Sequence, residues 1–325
     1  MLRYTIKRLL YLIPIIVGVI FIVFTLLYFA PGDPAYLALG DHASEADYEA
    51  YRESIGTNGT YWERLVRYYG GLVKGDLGVS YKTKNPVAEE LAYRFGRTFL
   101  LATCSFVIGS IVGVLMGILS AVLQYSVFDW FSTVFSLIGI STPTFATGFL
   151  FIIIFAVKLK WFPASGWGGW DKHLVLPAAV LAFASVGMVM RATRSSMLDV
   201  LKQDYITTAK AKGQTNNSVI FKHALRNALI PILTMCSLQY INLLSGSYIT
   251  ESVFAIAGLG SYMVLALNSR NYSSVLGAVI LLAVTAAVLN LITDILYTMI
   301  DPRLKTEQKK AGRERKMKKA LKTEA

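Results

Sequence analysis

Residues 204–231 read DYITTAKAKGQTNNSVIFKHALRNALIP and form a polar, basic segment within an otherwise apolar chain. Good helix formers fill residues 197–212, and Gly213 follows where a left-handed residue commonly ends a helix. Lys210 and Lys212 would lie in the last turn, where their charges favour the negative end of the helix dipole. The pattern predicts a helix that ends in a tight turn at Gly213.

A second helix is predicted after this turn. Asn216, Asn217 and Ser218 are residue types that cap helix N-termini, and the helical pattern continues to Pro231. A connection that only joined two membrane spans could be far shorter than residues 191–228, so the segment suggests a docking surface for a cytoplasmic partner. An amphipathic hairpin that lies on lipid headgroups is the alternative, which the lysines and arginines also allow.

On both sides of this segment the chain has the composition of a membrane protein. Of its 325 residues, 54% are hydrophobic and 16% are charged, and the mean hydropathy is +0.51. Such a chain is too apolar for an ordinary soluble domain. Six apolar runs have about the length that crosses a bilayer, at residues 9–30, 99–123, 131–157, 174–190, 229–250 and 275–300. The sequence therefore predicts an all-α membrane protein with six transmembrane helices.

The basic residues predict the orientation of these helices. With the N-terminus inside, 20 of the 32 lysines and arginines fall on the cytoplasmic side, in agreement with the positive-inside rule. Both termini and residues 191–228 are then cytoplasmic, whereas residues 31–98 are extracytoplasmic. Helical stretches around residues 43–54 and 61–74 would make the extracytoplasmic region a small domain.

The chain thus divides into four parts. They are a cytoplasmic start with the first transmembrane helix (1–30), an extracytoplasmic domain (31–98), a five-helix core that includes the cytoplasmic segment (99–300) and a basic cytoplasmic tail (301–325). The net charge of +12 does not indicate nucleic-acid binding, because ten of the lysines and arginines lie in this tail. We expect the tail to face anionic membrane lipid.

Glycine and proline within the apolar runs indicate how the helices pack. Gly109, Gly113 and Gly117 share one helix face and would allow a neighbouring helix to approach closely. Pro143 and Pro177 would free backbone carbonyls inside the membrane, which is tolerated where protein or a wet cavity surrounds them.

Polar residues within the runs are candidates for the lining of a translocation pathway. They are Ser141, Thr142, Gln239 and Asn242. Hydrogen bonding between helices is the alternative role for them. Charged groups are scarce in the runs, and the clearest, Asp294, lies near the cytoplasmic end of the last run. This scarcity argues against a carrier driven by protons or sodium, which would need ionisable groups at mid-membrane.

Motifs of catalysis and metal binding are absent from the sequence. Cys104 and Cys236 fall in apolar runs, and His42, His173 and His223 lack the spacing of metal ligands. The chain has no GxxxxGK[ST] phosphate loop, no HExxH and no GxSxG motif. We therefore expect no catalytic residue, no bound metal and no ATP hydrolysis by this chain.

Several motifs together resemble the permeases of ABC importers, in particular the first permease subunit of the dipeptide, oligopeptide and nickel branch. In the cytoplasmic segment, Thr207-Thr208-Ala209 stands where the general pattern has Glu-Ala-Ala, followed by Gly213 and Leu229-Ile230-Pro231. Four further motifs occur in the order of that branch, namely APGDP at 30–34, GDLGVS at 75–80, ESVFAIAGLG at 251–260 and DPR at 301–303. The resemblance extends along nearly the whole chain.

The resemblance implies a type I ABC-importer permease fold in a bacterial or archaeal cytoplasmic membrane. It implies a heterodimer with a second related permease, two cytoplasmic ABC ATPases that use ATP and Mg²⁺, and an extracytoplasmic binding protein that delivers a di- or oligopeptide. No cofactor would be bound by this chain itself. By position, the residues that couple ATP hydrolysis to the membrane helices would be Asp204, Tyr205, Thr207, Thr208, Ala209, Lys210, Ala211, Lys212 and Gly213.

Alternative functions stay open at this point. Permeases for nickel or nickel chelates resemble peptide permeases closely, and uptake of labelled peptide against labelled nickel would separate the two. From another class, the chain could be an ATP-independent channel or carrier, or a membrane scaffold that recruits a cytoplasmic protein. Transport that persists without ATPase partners would favour a channel or carrier, and recruitment without transport would favour a scaffold.

Overall fold

The computed structural model describes residues 2–40 and 42–300, so the predicted basic tail, 301–325, lies outside the described residues. The α-helices of this part of the chain are α1 Leu2–Phe29, α2 Pro34–Leu39, α3 Glu45–Ser54, α4 Tyr61–Val73, α5 Val87–Val122, α6 Val127–Ser141, α7 Thr144–Phe151, α8 Lys172–Leu201, α9 Asp204–Ala211, α10 Leu225–Gly246, α11 Tyr248–Val253, α12 Leu259–Asn268 and α13 Tyr272–Ile300. Two π-helical segments, Ile152–Lys158 and Ser218–Ala224, follow α7 and precede α10. The predicted all-α fold is confirmed for these residues.

Four of the described helices are long and apolar enough to cross a membrane. They are α5, α8, α13, and α10 together with the π-helical segment before it. The pair α6–α7 makes a fifth if a bent pair counts as one span. The apolar part of α1, Ile13–Phe29, is shorter by this measure, although the whole helix of 28 residues is about 42 Å long. The number of six spans therefore stays a prediction.

The apolar run over residues 131–157 is bent sharply in the structure instead of forming one straight helix. α6 ends at Ser141, α7 begins at Thr144, and their axes differ in direction by 106°. Pro143 lacks an N–H group and restricts the residue before it to extended backbone. Thr142 accordingly has φ −82° and ψ 125°. Proline chemistry outweighs the apolar pattern at this position.

The helix predicted over residues 99–123 starts earlier than expected. α5 begins at Val87, so residues 87–98 form its first turns, and the boundary of the extracytoplasmic domain at residue 98 stays a prediction. Leu91 packs in a hydrophobic cluster near one end of α5, and Ile118 packs in a different cluster near the other end. At 1.5 Å per residue these side chains are about 40 Å apart along the axis. The distance exceeds the roughly 30 Å of a bilayer's hydrocarbon core.

The contact between α5 and α8 forms the centre of the fold. Three glycines of α5 face three residues of α8 at the same spacing of four, pairing Gly109 with Ser185, Gly113 with Val189 and Gly117 with Thr193. A Cβ atom placed on each glycine would approach side-chain atoms of α8 to 2.6–2.8 Å, which is closer than real side chains lie. The predicted close helix approach at this glycine face is confirmed.

The helices expected around residues 43–54 and 61–74 are confirmed as α3 and α4. Both begin with a capping box, in which a hydroxyl and a carboxylate three residues later satisfy the first free backbone N–H groups. In α4 the hydrogen bonds from Thr60 lower the pKa of the Glu63 carboxyl group. These local signals explain why short, polar helices form after the first apolar helix.

Aromatic side chains hold α4 against α1. The ring of Tyr61 lies 5.7 Å from that of Phe24 and 5.1 Å from that of Tyr28, in edge-to-face arrangements. The hydroxyl groups of Tyr61 and Thr25 are 2.8 Å apart, and Tyr69 donates a hydrogen bond of 2.8 Å to the carbonyl oxygen of Val17. The region after α1 therefore packs on the membrane helices.

Candidate functional site

The predicted cytoplasmic segment begins with a break in the helix. The sequence favoured one helix over residues 197–212, but α8 ends at Leu201 and α9 begins at Asp204. Between them, Gln203 has the extended backbone angles φ −76° and ψ 146°. That prediction of a single helix was wrong, because helix propensity is a weak preference that tertiary packing overrides. The new direction of α9 brings its apolar residues onto the core.

The inner face of α9 is buried. Ile206 is 1% exposed and Ala209 is 7% exposed. Both belong to a hydrophobic cluster that also contains Ile118 of α5, Met197 of α8 and Ala228 of α10. The segment is thus anchored on the ends of three long helices.

The outer face of α9 is exposed. Of the nine residues that the sequence assigned to the coupling role, Ala209 is the buried one. The exposed ones are Asp204, Tyr205, Thr207, Thr208, Lys210, Ala211, Lys212 and Gly213. Ala209 therefore supports the surface from below, while the others are available to a partner.

The turn after α9 has the predicted left-handed glycine. Gly213 has φ +75°, and its N–H donates a hydrogen bond of 3.0 Å to the carbonyl oxygen of Lys210. The N–H of Gln214 donates a bond of 3.3 Å to the carbonyl oxygen of Ala209. This pair of bonds defines a Schellman motif, in which glycine tolerates the left-handed conformation. The predicted C-terminal cap is confirmed.

The second helix starts at Asn216, the first of the three predicted positions. Its cap is the residue before, Thr215, whose hydroxyl accepts a hydrogen bond of 3.4 Å from the N–H of Ser218 and whose carbonyl accepts one of 3.0 Å from the N–H of Val219. The predicted start is therefore confirmed, although the capping side chain is that of Thr215.

The predicted end of the second helix was wrong. The helix does not stop at Pro231 but continues through it to Gly246. Pro231 lies inside this helix, and prolines are tolerated in membrane helices because neighbouring groups satisfy the backbone carbonyl that they free.

Side-chain hydrogen bonds tie the two helices of the segment together. Asn227 donates to the hydroxyl of Tyr205 at 3.1 Å and to the carbonyl oxygen of His223 at 2.8 Å. The Nε2 atom of His223 lies 2.7 Å from Oε1 of Gln214, which also accepts a bond of 3.0 Å from Ser218. These contacts make α9 and the following helix one unit.

A largely buried ion pair links α8 to α6 two turns before α8 ends. Arg194 donates hydrogen bonds of 2.6 and 2.8 Å to the two carboxylate oxygens of Asp129, which is 5% exposed. Ser120 of α5 donates a further bond of 2.5 Å to Asp129. The sequence did not predict this pair, because no local pattern connects residues so far apart in the chain. A lone aspartate directly before an apolar run was the one available signal.

A second buried carboxyl group lies at the opposite end of α5. Glu251 is 0% exposed, and its Oε1 accepts hydrogen bonds of 2.6 Å from Thr98 and 2.7 Å from Ser247. Its Oε2 accepts a bond of 2.8 Å from the N–H of Ser261. Glu251 thereby joins α5, α11 and α12. The sequence pointed to this stretch only as a motif, and a single glutamate among apolar residues was the signal for its role.

The four candidate pathway residues form two separate pairs. Ser141 and Thr142 lie at the bend between α6 and α7, and Thr142 donates a hydrogen bond of 2.7 Å to the carbonyl oxygen of Ile138. Gln239 is buried in α10 and accepts a bond of 3.4 Å from Asn242. Within the part of the chain that the structure describes, no hydrogen bond joins the two pairs. Their place in a pathway stays a prediction.

Comparison with known proteins identifies the family. A family model described as "binding-protein-dependent transport system inner membrane component" matches residues 113–306. The model of the corresponding N-terminal region of such membrane components matches residues 1–102. Together the two matches span most of the chain.

Curated relatives match the chain over nearly its full length. A dipeptide transport system permease protein of Alkalihalophilus pseudofirmus is 38% identical over 94% of this chain and 100% of its own. An oligopeptide transport system permease protein of Bacillus subtilis is 39% identical, and a glutathione transport system permease protein of Pectobacterium atrosepticum is 40% identical. Each of these two covers 94% of this chain and 99% of the relative.

A solved structure shares the fold. The inward-facing methionine ABC transporter matches with a TM-score of 0.54 and 17% identity, over 65% of this chain and 96% of that chain. This likeness confirms the expected ABC-importer permease fold, and the family follows from the sequence matches. The chain belongs to the family of binding-protein-dependent transport system inner membrane components.

Proposed function

We propose that this chain is a transmembrane permease subunit of an ATP-driven importer of peptides. The observation that supports this most is the cytoplasmic segment, in which α9 presents polar and basic residues on a buried apolar base. The three relatives described above are named for dipeptides, oligopeptides and glutathione, which favours peptide over nickel as the cargo. Family membership favours binding-protein-dependent import over a channel, carrier or scaffold.

The proposal includes three kinds of protein partner. A second, related permease completes the translocation pathway, and each permease contacts one cytoplasmic ABC ATPase. The ATPases bind ATP and Mg²⁺, and this chain binds neither. An extracytoplasmic binding protein delivers the peptide on the side of residues 31–98. Both termini are cytoplasmic, and the helices cross the bacterial or archaeal cytoplasmic membrane.

The coupling mechanism follows from how α9 is anchored. Thr207, Thr208 and Lys210 face outward, so they are available to a groove of the ATPase. Ile206 and Ala209 lie in one apolar cluster with the ends of α5, α8 and α10. Packed clusters transmit displacement as rigid bodies, so movement of α9 would shift these three helix ends together. Approach of the two ATPases would open the pathway outward, and hydrolysis would reset it.

Co-purification of the assembled importer tests this role. In the variant Thr207→Glu/Lys210→Glu the outer face of α9 changes charge, whereas its buried face is untouched. We expect the second permease to co-purify and the ATPases to be lost. The matched control Asn217→Glu/Lys222→Glu changes the charge by the same amount at exposed positions outside α9 and should retain every subunit. Equal recovery of the ATPases with both variants would contradict the coupling role.

A further inference from the structure

A polar cavity lies between α6 and α8, and the proposed function gives it no role. Its volume is about 310 Å³, at the lower end of the range for small-ligand sites. Three cationic side chains line it, namely Arg191, Arg194 and Lys202. One carboxylate, Asp199, also lines it. The cavity is therefore lined largely by charged and hydroxyl-bearing side chains.

The charges of the cavity are not balanced. Arg194 is neutralised by Asp129. Arg191 and Lys202 are exposed, and neither forms an ion pair with any residue that the structure describes. Asp199 offsets one of these two charges, which leaves one positive charge in excess. The cavity is therefore suited to an anion with a single negative charge.

The position of the cavity along α8 indicates where that anion comes from. Arg191 directly follows the apolar run 174–190, so it lies at the edge of the hydrocarbon core. Arg191 and Ser195 share one face of α8 at positions i and i+4, and Lys202, directly after the last residue of α8, continues that face at i+11. Phospholipid phosphates occupy the zone just outside the hydrocarbon, and basic pockets between transmembrane helices on the cytoplasmic side bind such headgroups.

We propose that this cavity binds the phosphate group of an anionic phospholipid in the cytoplasmic leaflet. Arg191 and Lys202 supply the positive charge, and the hydroxyl groups of Thr133 and Ser195, which also line the cavity, donate hydrogen bonds. A phosphodiester has one negative charge and matches the single excess charge better than inorganic phosphate, which approaches two. The site rests on the proposed function only in placing this end of α8 at the cytoplasmic face. It requires neither the peptide nor the ATPases.

Lipid retention by the purified importer complex tests the site. The complex is first reconstituted in nanodiscs of phosphatidylglycerol and phosphatidylcholine and then extracted in detergent. Phosphatidylglycerol is added in increasing amounts, and native mass spectrometry measures how much of it stays bound to the complex. Each basic residue near an anionic surface contributes a factor of about five to binding, so Arg191→Gln/Lys202→Gln should bind phosphatidylglycerol roughly thirtyfold more weakly. The control Lys222→Gln/Arg226→Gln removes the same charge at exposed positions outside the cavity and should bind as the native complex does. The charge-preserving variant Arg191→Lys/Lys202→Arg should restore binding.

A titration of lipid-stripped complex with inorganic phosphate separates the two sources of a phosphate group. A rise in thermal stability in the native complex, absent from Arg191→Gln/Lys202→Gln, would assign the same residues to a soluble phosphate.

Equal lipid binding by the native, glutamine and control complexes, with no effect of phosphate, would overturn the site. Loss of the ATPases from the glutamine variant with lipid binding intact would also overturn it, since the cavity would then be a protein contact. Failure of peptide uptake in all four complexes would affect the proposed cargo and leave the lipid result standing.

Discussion

Two glycines of this chain are required for opposite physical reasons. Gly213 has φ +75°, yet a Cβ atom placed there would meet nothing within 4 Å. Gly258 has an ordinary extended backbone with φ −92°, but a Cβ atom there would overlap the carboxyl group of Glu251 and the hydroxyl of Thr98. The first position excludes side chains by backbone conformation and the second by lack of space. Substitutions at the two positions should therefore fail in different ways.

At Gly213 we predict a defect in coupling and not in assembly. A β-branched residue in the left-handed region costs about 1–2 kcal/mol, which Gly213→Val would impose on the turn after α9. Asparagine tolerates this conformation, so Gly213→Asn is the matched control. We expect both variants to assemble, with peptide uptake per ATP hydrolysed lowered in the valine variant only. Proteoliposomes that report uptake and hydrolysis together provide the measurement, and equal ratios in both variants would refute the prediction.

At Glu251 we predict a loss of stability. Glutamine has one acceptor oxygen, so in Glu251→Gln the new amide N–H₂ group faces either the N–H of Ser261 or the hydroxyls of Thr98 and Ser247. An unsatisfied buried donor costs about 1–3 kcal/mol, which should lower the thermal unfolding temperature of the purified complex. Glu89→Gln, at an exposed position of α5, is the control. If both variants melt with the native protein, the hydrogen bonds to Glu251 do not hold the three helices together.

At the scale of elements, the ion pair between Arg194 and Asp129 joins α8 to α6 two turns before α8 ends and α9 begins. Removing one partner of a buried pair leaves the other charge uncompensated, at a cost of about 3–5 kcal/mol. We expect a loss within this range for Arg194→Gln, because the charge left behind is the more buried partner: the Asp129 side chain is 7% exposed and the arginine side chain 27%. Thermal unfolding and tryptic cleavage in the cytoplasmic segment should both report the loss.

The double variant provides the test of this explanation. In Asp129→Asn/Arg194→Gln both charges are absent, so the penalty of an isolated buried carboxylate disappears. The double variant should therefore be more stable than Arg194→Gln alone. A double variant that is as unstable as the sum of its two single variants would show that the two side chains act independently.

The elements that the sequence predicted are those with a local cause. The helices α3 and α4 follow from capping boxes, and the end of α9 follows from a glycine at the left-handed position. The break at Gln203 was not predictable, because it depends on which face of α9 is buried. The bend at Pro143 had a visible signal, but nothing local fixes its angle. Contacts between distant residues, such as Arg194 with Asp129, leave no trace in local patterns.

At the scale of the whole molecule, the direction of α5 and α8 constrains how the chain crosses the membrane. The pairing of Gly109 with Ser185 and Gly117 with Thr193 shows that the two helices run parallel. Both helices therefore begin on the same side of the membrane and end on the opposite side. The chain between them, residues 123–171, must return across the membrane. The bent pair α6–α7 is the only helical pair in that interval, so we expect it to complete a span despite its angle of 106°.

Cysteine labelling of intact cells tests this topology and the predicted orientation together. In a background where Cys104 and Cys236 are replaced by serine, single cysteines are placed at three exposed positions, Lys82, Ser165 and Lys222. Lys82 lies before α5, and Ser165 lies between the bent pair and α8, so a membrane-impermeant maleimide should label both from outside. Lys222 lies beyond the end of α8 and should react only after the membrane is disrupted.

The position at Ser165 decides between two arrangements of the bent pair. In one arrangement, α6–α7 enters the membrane and returns to the side where α5 ends. The maleimide added outside would then label neither Ser165→Cys nor Lys222→Cys. That outcome would conflict with the parallel packing of α5 on α8, because α8 would then have to start on the side where α5 ends. Labelling of Ser165→Cys with Lys82→Cys would instead establish that a proline bend of this size is compatible with a complete crossing. Labelling of Lys222→Cys alone from outside would reverse the orientation inferred from the basic residues, and with it the side on which any ATPase could reach α9.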